Sequence, residues 1–71
     1  MADGRPEDAL EALKLEVFEN PQYWNAYDTL AGVYMTMGER KLAIQNYEKS
    51  IELNADNENG VEHLKELKNQ G

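Results

Sequence analysis

The sequence predicts an all-α fold built of antiparallel helix hairpins, with about four helices. Apolar side chains recur at three- and four-residue steps through most of the chain, which is the period of an amphipathic helix. Proline and glycine divide the chain into segments of helical length, at Pro6, Pro21, Gly38 and Gly60. Short reversals between the segments favour helices that run antiparallel to their neighbours in the chain.

The first helix is predicted over residues 6–19. Ala9, Leu10, Leu13 and Val17 follow the spacing of one helical stripe. The pair Asn20-Pro21 ends this segment, because proline cannot continue the hydrogen-bonding pattern of a helix.

The second helix is predicted over about residues 22–37. Its stripe steps by three, four and seven residues and consists of Trp24, Tyr27, Leu30, Ala31 and Tyr34, widened by Val33 and Met37. Gly38 follows at once and can adopt the left-handed conformation that ends a helix. At this spacing the tyrosines of the stripe are expected to be core residues.

The third and fourth helices are predicted over about residues 40–53 and 58–68. In the third, Ala43, Tyr47 and Ile51 share one face, and Ser50 beside them is small enough for a close helix approach. The stretch 54–57, Asn-Ala-Asp-Asn, is rich in turn and N-cap residues. Behind it Val61, Leu64 and Leu67 step by three again, which predicts a short terminal helix.

The composition argues against several classes of partner. The chain has 14 acidic and 7 basic residues, so its formal charge of −7 repels phosphate backbones and anionic lipid surfaces. Nucleic-acid and membrane partners are therefore not expected, and no apolar run approaches the ~20 residues of a membrane span. Without cysteine the chain has neither a disulfide nor a thiolate metal site. A cytoplasmic location is favoured if Met1 is the native start.

The sequence contains an internal repeat of 34 residues. Positions of matching size are paired at this distance: Ala9 with Ala43, Leu13 with Tyr47, Tyr27 with Val61, and Leu30 with Leu64. Pro21 and Ala55 also pair but differ in kind. Because a fixed period of this length is typical of stacked helical repeats, the repeat bears on the whole architecture.

The repeat leads to a family resemblance. The stretch Tyr27-Asp28-Thr29-Leu30-Ala31-Gly32-Val33-Tyr34, then Gly38, then the stretch from Ala43 to Asn54, resembles the tetratricopeptide repeat (TPR). The sequence departs from that pattern at Ala31, where the family favours Gly, and at Ala55, where Pro is usual. The resemblance implies a single TPR-type α-solenoid domain over residues 1–71. One full repeat spans 24–57, with the second helix of a partial repeat at 6–19 before it and a terminal helix at 58–68 after it.

A narrower resemblance concerns two segments. Asn25-Ala26-Tyr27-Asp28-x-Leu30 and the later Leu42-Ala43-Ile44-x-Asn46-Tyr47-Glu48-Lys49-Ser50 are similar to the C-terminal TPR tail of some bacterial serine hydrolases, of the esterase or β-lactamase-like kind. This resemblance implies an alternative role. The chain would be a structural tail that packs on an upstream hydrolase domain absent here, or that mediates self-association.

The titratable residues do not predict an enzyme. His63 with Glu66 at i+3 is the one helical pair of histidine and carboxylate, and two candidate ligands do not make a metal or acid–base site. We expect His63 to be solvated on the polar face of the last helix. Ser50 lacks a base on the same face, so nucleophilic catalysis has no triad. Neither a cofactor nor a metal is expected.

The TPR resemblance indicates a candidate ligand groove. In TPR arrays the first helix of each repeat lines the concave surface, and the positions left after packing here are Asn25, Asp28, Thr29, Gly32, Met35 and Thr36. The implied function is a non-catalytic module that binds a protein or an extended peptide. We expect a neutral or basic segment, with Asp28 as its charge partner and Met35 as a pliable apolar contact. The alternative is that this face is only solvated.

A second candidate surface lies towards the N-terminal side. Phe18 falls off the stripe of the first helix, so we expect it to be exposed and to form an intersubunit or interdomain patch with Tyr23 and Trp24. Trp24, if exposed, would be the best anchor for such an interface.

Overall fold

The computed structural model describes residues 6–69 and contains four helices in that range. They are α1 (Pro6–Glu19), α2 (Trp24–Thr36), α3 (Arg40–Leu53) and α4 (Glu58–Asn69). Within that range 83% of the residues are helical and no strand forms, which confirms the all-α prediction. Residues 1–5 and 70–71, which the predicted single domain includes, lie outside the described residues.

Each helix packs on its neighbours in the chain, and the α2–α3 hairpin has the most extensive contact. Arg40, which begins α3, donates a hydrogen bond from Nε to the carbonyl oxygen of Leu67 at 2.9 Å, near the end of α4. At the other end Asn57, just before α4, bonds Ser50 in the last turn of α3. The two helices are therefore antiparallel. Because α2 and α3 also form a hairpin, α2 and α4 run in the same direction side by side.

The core lies between α2 and α3 and is closed by α4. Its buried members are Leu30, Ala31, Tyr34, Ala43, Tyr47 and Leu67, against which Leu10, Leu13 and Val17 of α1 pack. Ala31 and Ala43 are fully buried, one on each helix of the central hairpin. Small side chains at these two positions allow the helices to approach closely. Three of the four residues of the α1 stripe thus contact the core as its period predicts, and the fourth, Ala9, is exposed.

Tyr27 is only half-buried, although its spacing predicts a core residue. Its hydroxyl donates a hydrogen bond to the carbonyl oxygen of Pro21 at 3.0 Å. The phenol therefore reaches back over the turn before α2, with its polar end at the surface, while the apolar ring covers the helix start.

The turn that precedes α2 and the turn that precedes α4 each contain a backbone hydrogen bond at the same position of the 34-residue repeat. The amide of Tyr23 donates to the carbonyl of Asn20 at 3.0 Å, and the amide of Asn57 donates to the carbonyl of Asn54 at 3.1 Å. The second turn forms although Ala55 stands where the first has Pro21. There the side chain of Asn54 accepts a further bond from the amide of Asp56 at 3.2 Å, an Asx turn that compensates for the missing proline ring.

Gly38 ends α2 in the left-handed conformation, as its position predicts, with φ of 81°. The amide of Glu39 donates to the carbonyl of Tyr34 at 2.8 Å, and that of Gly38 to the carbonyl of Met35 at 3.0 Å. This pair of bonds is the Schellman motif, which satisfies carbonyls that the helix end leaves unpaired.

The two glycines of the central hairpin should respond to alanine with opposite signs. Gly38→Ala should lower the free energy of unfolding by roughly 1 kcal/mol, because an L side chain is strained at positive φ. Gly32→Ala should raise it by up to about 1 kcal/mol, since alanine favours the helix interior and the added carbon would lie 3.8 Å from the Tyr47 hydroxyl. Urea titrations followed by circular dichroism measure both free energies of unfolding. Changes of the same sign would contradict the different backbone conformations of these two glycines.

Candidate functional site

An open recess of ≈ 580 Å³ lies where α2 and α4 run side by side. Its lining residues are Asp28, Thr29, Gly32, Val33, Met35, Thr36, Tyr47 and His63. Helix α2 supplies one wall and His63 of α4 the other. Tyr47 reaches the recess from α3, which packs against both helices. The three helices thus meet at one concave surface.

Five of the six residues proposed for the groove lie together in this recess. They are Asp28, Thr29, Gly32, Met35 and Thr36. Asn25 does not line it, and its Nδ2 donates to the hydroxyl of Tyr23 at 3.4 Å instead. The sequence therefore identified most of one wall of the recess.

The two threonine hydroxyls of the recess already act as hydrogen-bond donors. Thr29 Oγ1 donates to the carbonyl of Asn25 at 3.0 Å, and Thr36 Oγ1 donates to that of Gly32 at 3.1 Å. Each hydroxyl oxygen can still accept a bond. Towards a ligand these residues therefore act as acceptors, which suits donors such as peptide amides.

His63 is half-buried at the recess, whereas its position on the last helix predicts a solvated side chain. Its ring stacks on that of Tyr47, with centroids 5.3 Å apart and planes 10° from parallel. Its Nδ1 lies 2.8 Å from the carbonyl oxygen of Asn59. Because a carbonyl only accepts hydrogen bonds, Nδ1 carries the hydrogen, and Nε2 is the basic nitrogen of the neutral ring.

The 34-residue repeat is the signal that could have placed His63 in the groove. His63 follows Thr29 by one repeat, and Glu66 follows Gly32 by the same distance. Because α2 and α4 are equivalent helices of the repeat, groove positions on one map to groove positions on the other. The predicted groove contains only residues of α2 and therefore lacks His63 of α4.

The pKa of Tyr47, which lines the recess, is affected by the charges nearby. Its hydroxyl donates to Met35 Sδ at 3.5 Å. Burial raises the pKa of this phenol above its usual value, and the negative charges of Asp28 and, to a smaller extent, Glu66 raise it further. Two carboxylates therefore act on the Tyr47 hydroxyl, that of Asp28 in the recess lining and that of Glu66 outside it on α4. Among residues 6–69 no lysine or arginine lines the recess.

Asp28 is held by a hydrogen-bond network that ties the recess to the core. Asn57 Nδ2 donates to Asp28 Oδ1 at 3.2 Å and to Ser50 Oγ at 2.7 Å. Asn57 Oδ1 accepts from the amide of Gly60 at 3.2 Å, which makes Asn57 the N-cap of α4. Among residues 6–69 Asp28 Oδ2 accepts no hydrogen bond, so this oxygen remains able to bind a ligand.

Gly60 provides the space that this network occupies. A Cβ at position 60 would lie 2.5 Å from Asn57 Nδ2 and 3.4 Å from Cγ1 of Ile51. In the sequence Gly60 stands out only as a boundary between segments. In the structure it lies inside α4, in the first turn, where the absence of a side chain lets Asn57 fold back over the helix start.

Ser50 is fully buried and its hydroxyl accepts from Asn57, so it cannot meet a substrate. Within residues 6–69 no group of three or more His, Asp or Glu side chains is placed to bind a metal ion. In the same range no helix combines the length and apolar character needed to cross a bilayer.

The three residues proposed for the N-terminal patch differ in their exposure to solvent. Phe18 is 82% exposed and Tyr23 is 45% exposed, whereas Trp24 is half-buried. A shallow recess at the α1–α2 turn is lined by Glu16, Glu19, Asn20, Pro21, Gln22 and Tyr23. Phe18 and Trp24 do not line it. The structure thus brings Tyr23 to this recess without the other two residues.

Phe18 has a different exposed neighbour, Leu15, one turn before it and 57% exposed. One repeat later these two positions are Lys49 and Glu52, which form an ion pair at 3.6 Å with both side chains largely in solvent. Helix α1 therefore carries two apolar side chains at the positions where α3 carries an ion pair.

Compared with models of protein families, with curated proteins and with solved structures, the chain shows no match. Its function is therefore inferred from the geometry and charge of the recess.

Proposed function

We propose that this chain is a non-catalytic protein-interaction module of the TPR type that binds an extended peptide segment in the recess between α2 and α4. The observation that supports the proposal is that five residues selected from the TPR resemblance meet in one open recess. A concave surface with a few convergent polar groups is the usual form of a ligand site.

The charge of the recess favours a segment with a basic side chain. Asp28 is half-buried and has one oxygen without a donor among the described residues, and Glu66 acts on the same region from α4. The ion pairs of Lys49 with Glu52 and of Lys68 with Glu48 lie away from the recess lining. A lysine or arginine of the ligand would therefore supply the positive charge that the protein does not place there.

The shape of the recess favours an extended chain. Gly32 has no side chain, so the surface above the Tyr47 hydroxyl is open to a ligand backbone. Met35, which is 37% exposed, offers a flexible thioether that adapts to the stem of a bound side chain. The threonine hydroxyls on either side can accept hydrogen bonds from peptide amides.

A peptide array tests this function when it is probed with the native chain and with two charge variants. Asp28→Asn removes the charge but keeps an oxygen that can accept from Asn57. Asp56→Asn removes the same charge from an exposed turn outside the recess and serves as the matched control. We expect Asp28→Asn to weaken binding of lysine- and arginine-containing peptides about fivefold, the effect of one ion pair near a surface, and Asp56→Asn to change it little.

Two outcomes would contradict the proposal. If the two variants weaken binding equally, only the overall charge of the chain matters and the recess is not the site. If the native chain retains no peptide, the recess is only solvated. The alternative role of a structural tail would then be favoured, with the exposed Phe18 as its contact.

A further inference from the structure

The recess is lined by one histidine, and the proposed function does not use it. His63 lines the recess, and its Nδ1 is already bonded to the carbonyl of Asn59. A proton taken up by the ring therefore goes to Nε2 and gives the recess a positive charge of its own.

Groups from three helices surround His63. Asp28 faces the recess from α2, the neutral phenol of Tyr47 stacks on the ring from α3, and Glu66 lies at i+3 on α4. Helix α1 contributes no lining residue, and none of the basic side chains of residues 6–69 lines the recess. A protonated His63 and a ligand lysine would thus lie in the same recess as the carboxylate of Asp28.

We propose that protonation of His63 displaces the basic side chain of the bound segment, so that the recess releases its ligand on acidification. The proposal rests on the proposed function and adds its regulation. Two like charges in one recess repel each other, and an imidazolium there reduces the attraction of Asp28 for a ligand cation. The stacking on Tyr47 holds the ring of His63 at the recess.

The test is an NMR titration of the full chain with a peptide of serine and glycine residues, blocked at both ends, with one central lysine. The analogue with norleucine in place of lysine is the uncharged control. Titrations at about pH 8 and about pH 5.5 span the range in which histidine changes charge. The native chain should bind the lysine peptide about fivefold more weakly at the lower pH, and the norleucine peptide equally at both.

Two variants replace the ionisable imidazole of His63 in different ways. His63→Phe retains a ring that can stack on Tyr47, and His63→Gln retains a polar side chain without one. Both should bind the lysine peptide equally at the two pH values. If the native chain binds it equally at both, or if both variants keep the fivefold difference, the inference is overturned while the proposed function stands. If neither peptide binds at either pH, both fail.

Discussion

Replacing Leu30 with alanine is expected to lower the free energy of unfolding by about 3 kcal/mol, within the range measured for buried leucines. Leu30 is 4% exposed in the core between α2 and α3. Its truncation removes apolar contacts and leaves a cavity, because packed helices close up only in part around a missing side chain. In a chain of this size one core rarely supplies more than about 3–5 kcal/mol. The variant should therefore lose most of its helical circular dichroism at 25 °C.

Leu15→Ala provides the matched control for this experiment. It makes the same chemical change in the middle of a helix, but Leu15 is 57% exposed on α1. Its effect on the free energy of unfolding should stay within about 0.5 kcal/mol, as for other surface substitutions. Urea titrations of the two variants measure the difference. Similar losses would mean that α1 is covered by another chain in solution, or that the core is not where the structure places it.

The fold was predictable because the local signals agree with the tertiary structure. The stripe around Leu30 has the helical period, Gly38 stands where a left-handed residue is needed, and the 34-residue repeat relates the two turns that begin α2 and α4. Such agreement between local preference and global packing is what makes a short sequence specify one architecture.

The candidate site was predictable only in part. The positions on α2 follow from helical spacing and the family resemblance, and the repeat would have added His63. The network of Ser50, Asn57 and Asp28 has no such signal, because its three side chains come from different elements and meet only after the helices pack. Whether a polar side chain bonds backbone, water or another side chain depends on that geometry, which residue spacing does not determine.

Asn57→Ala is expected to cost about 2 kcal/mol of unfolding free energy, because two effects combine. Loss of the N-cap oxygen leaves the amide of Gly60 without its partner, typically worth ~1 kcal/mol. Loss of the amide nitrogen leaves the fully buried hydroxyl of Ser50 without its donor, which adds about as much. Asn59→Ala is the control. Asn59 is exposed, and its bond to His63 uses the backbone carbonyl, so alanine there should be nearly neutral.

A third variant separates the cap from the network. Asn57→Asp keeps an oxygen that can cap α4, since aspartate is among the best N-cap residues, but it cannot donate to Ser50 or Asp28. It also brings a second carboxylate to the position where Nδ2 now lies 3.2 Å from Asp28. If the cap alone matters, this variant will be as stable as the native chain. We expect it instead to be at least as unstable as Asn57→Ala at neutral pH. It should recover part of the loss as the pH falls, because protonation of one of the two adjacent carboxylates removes their repulsion.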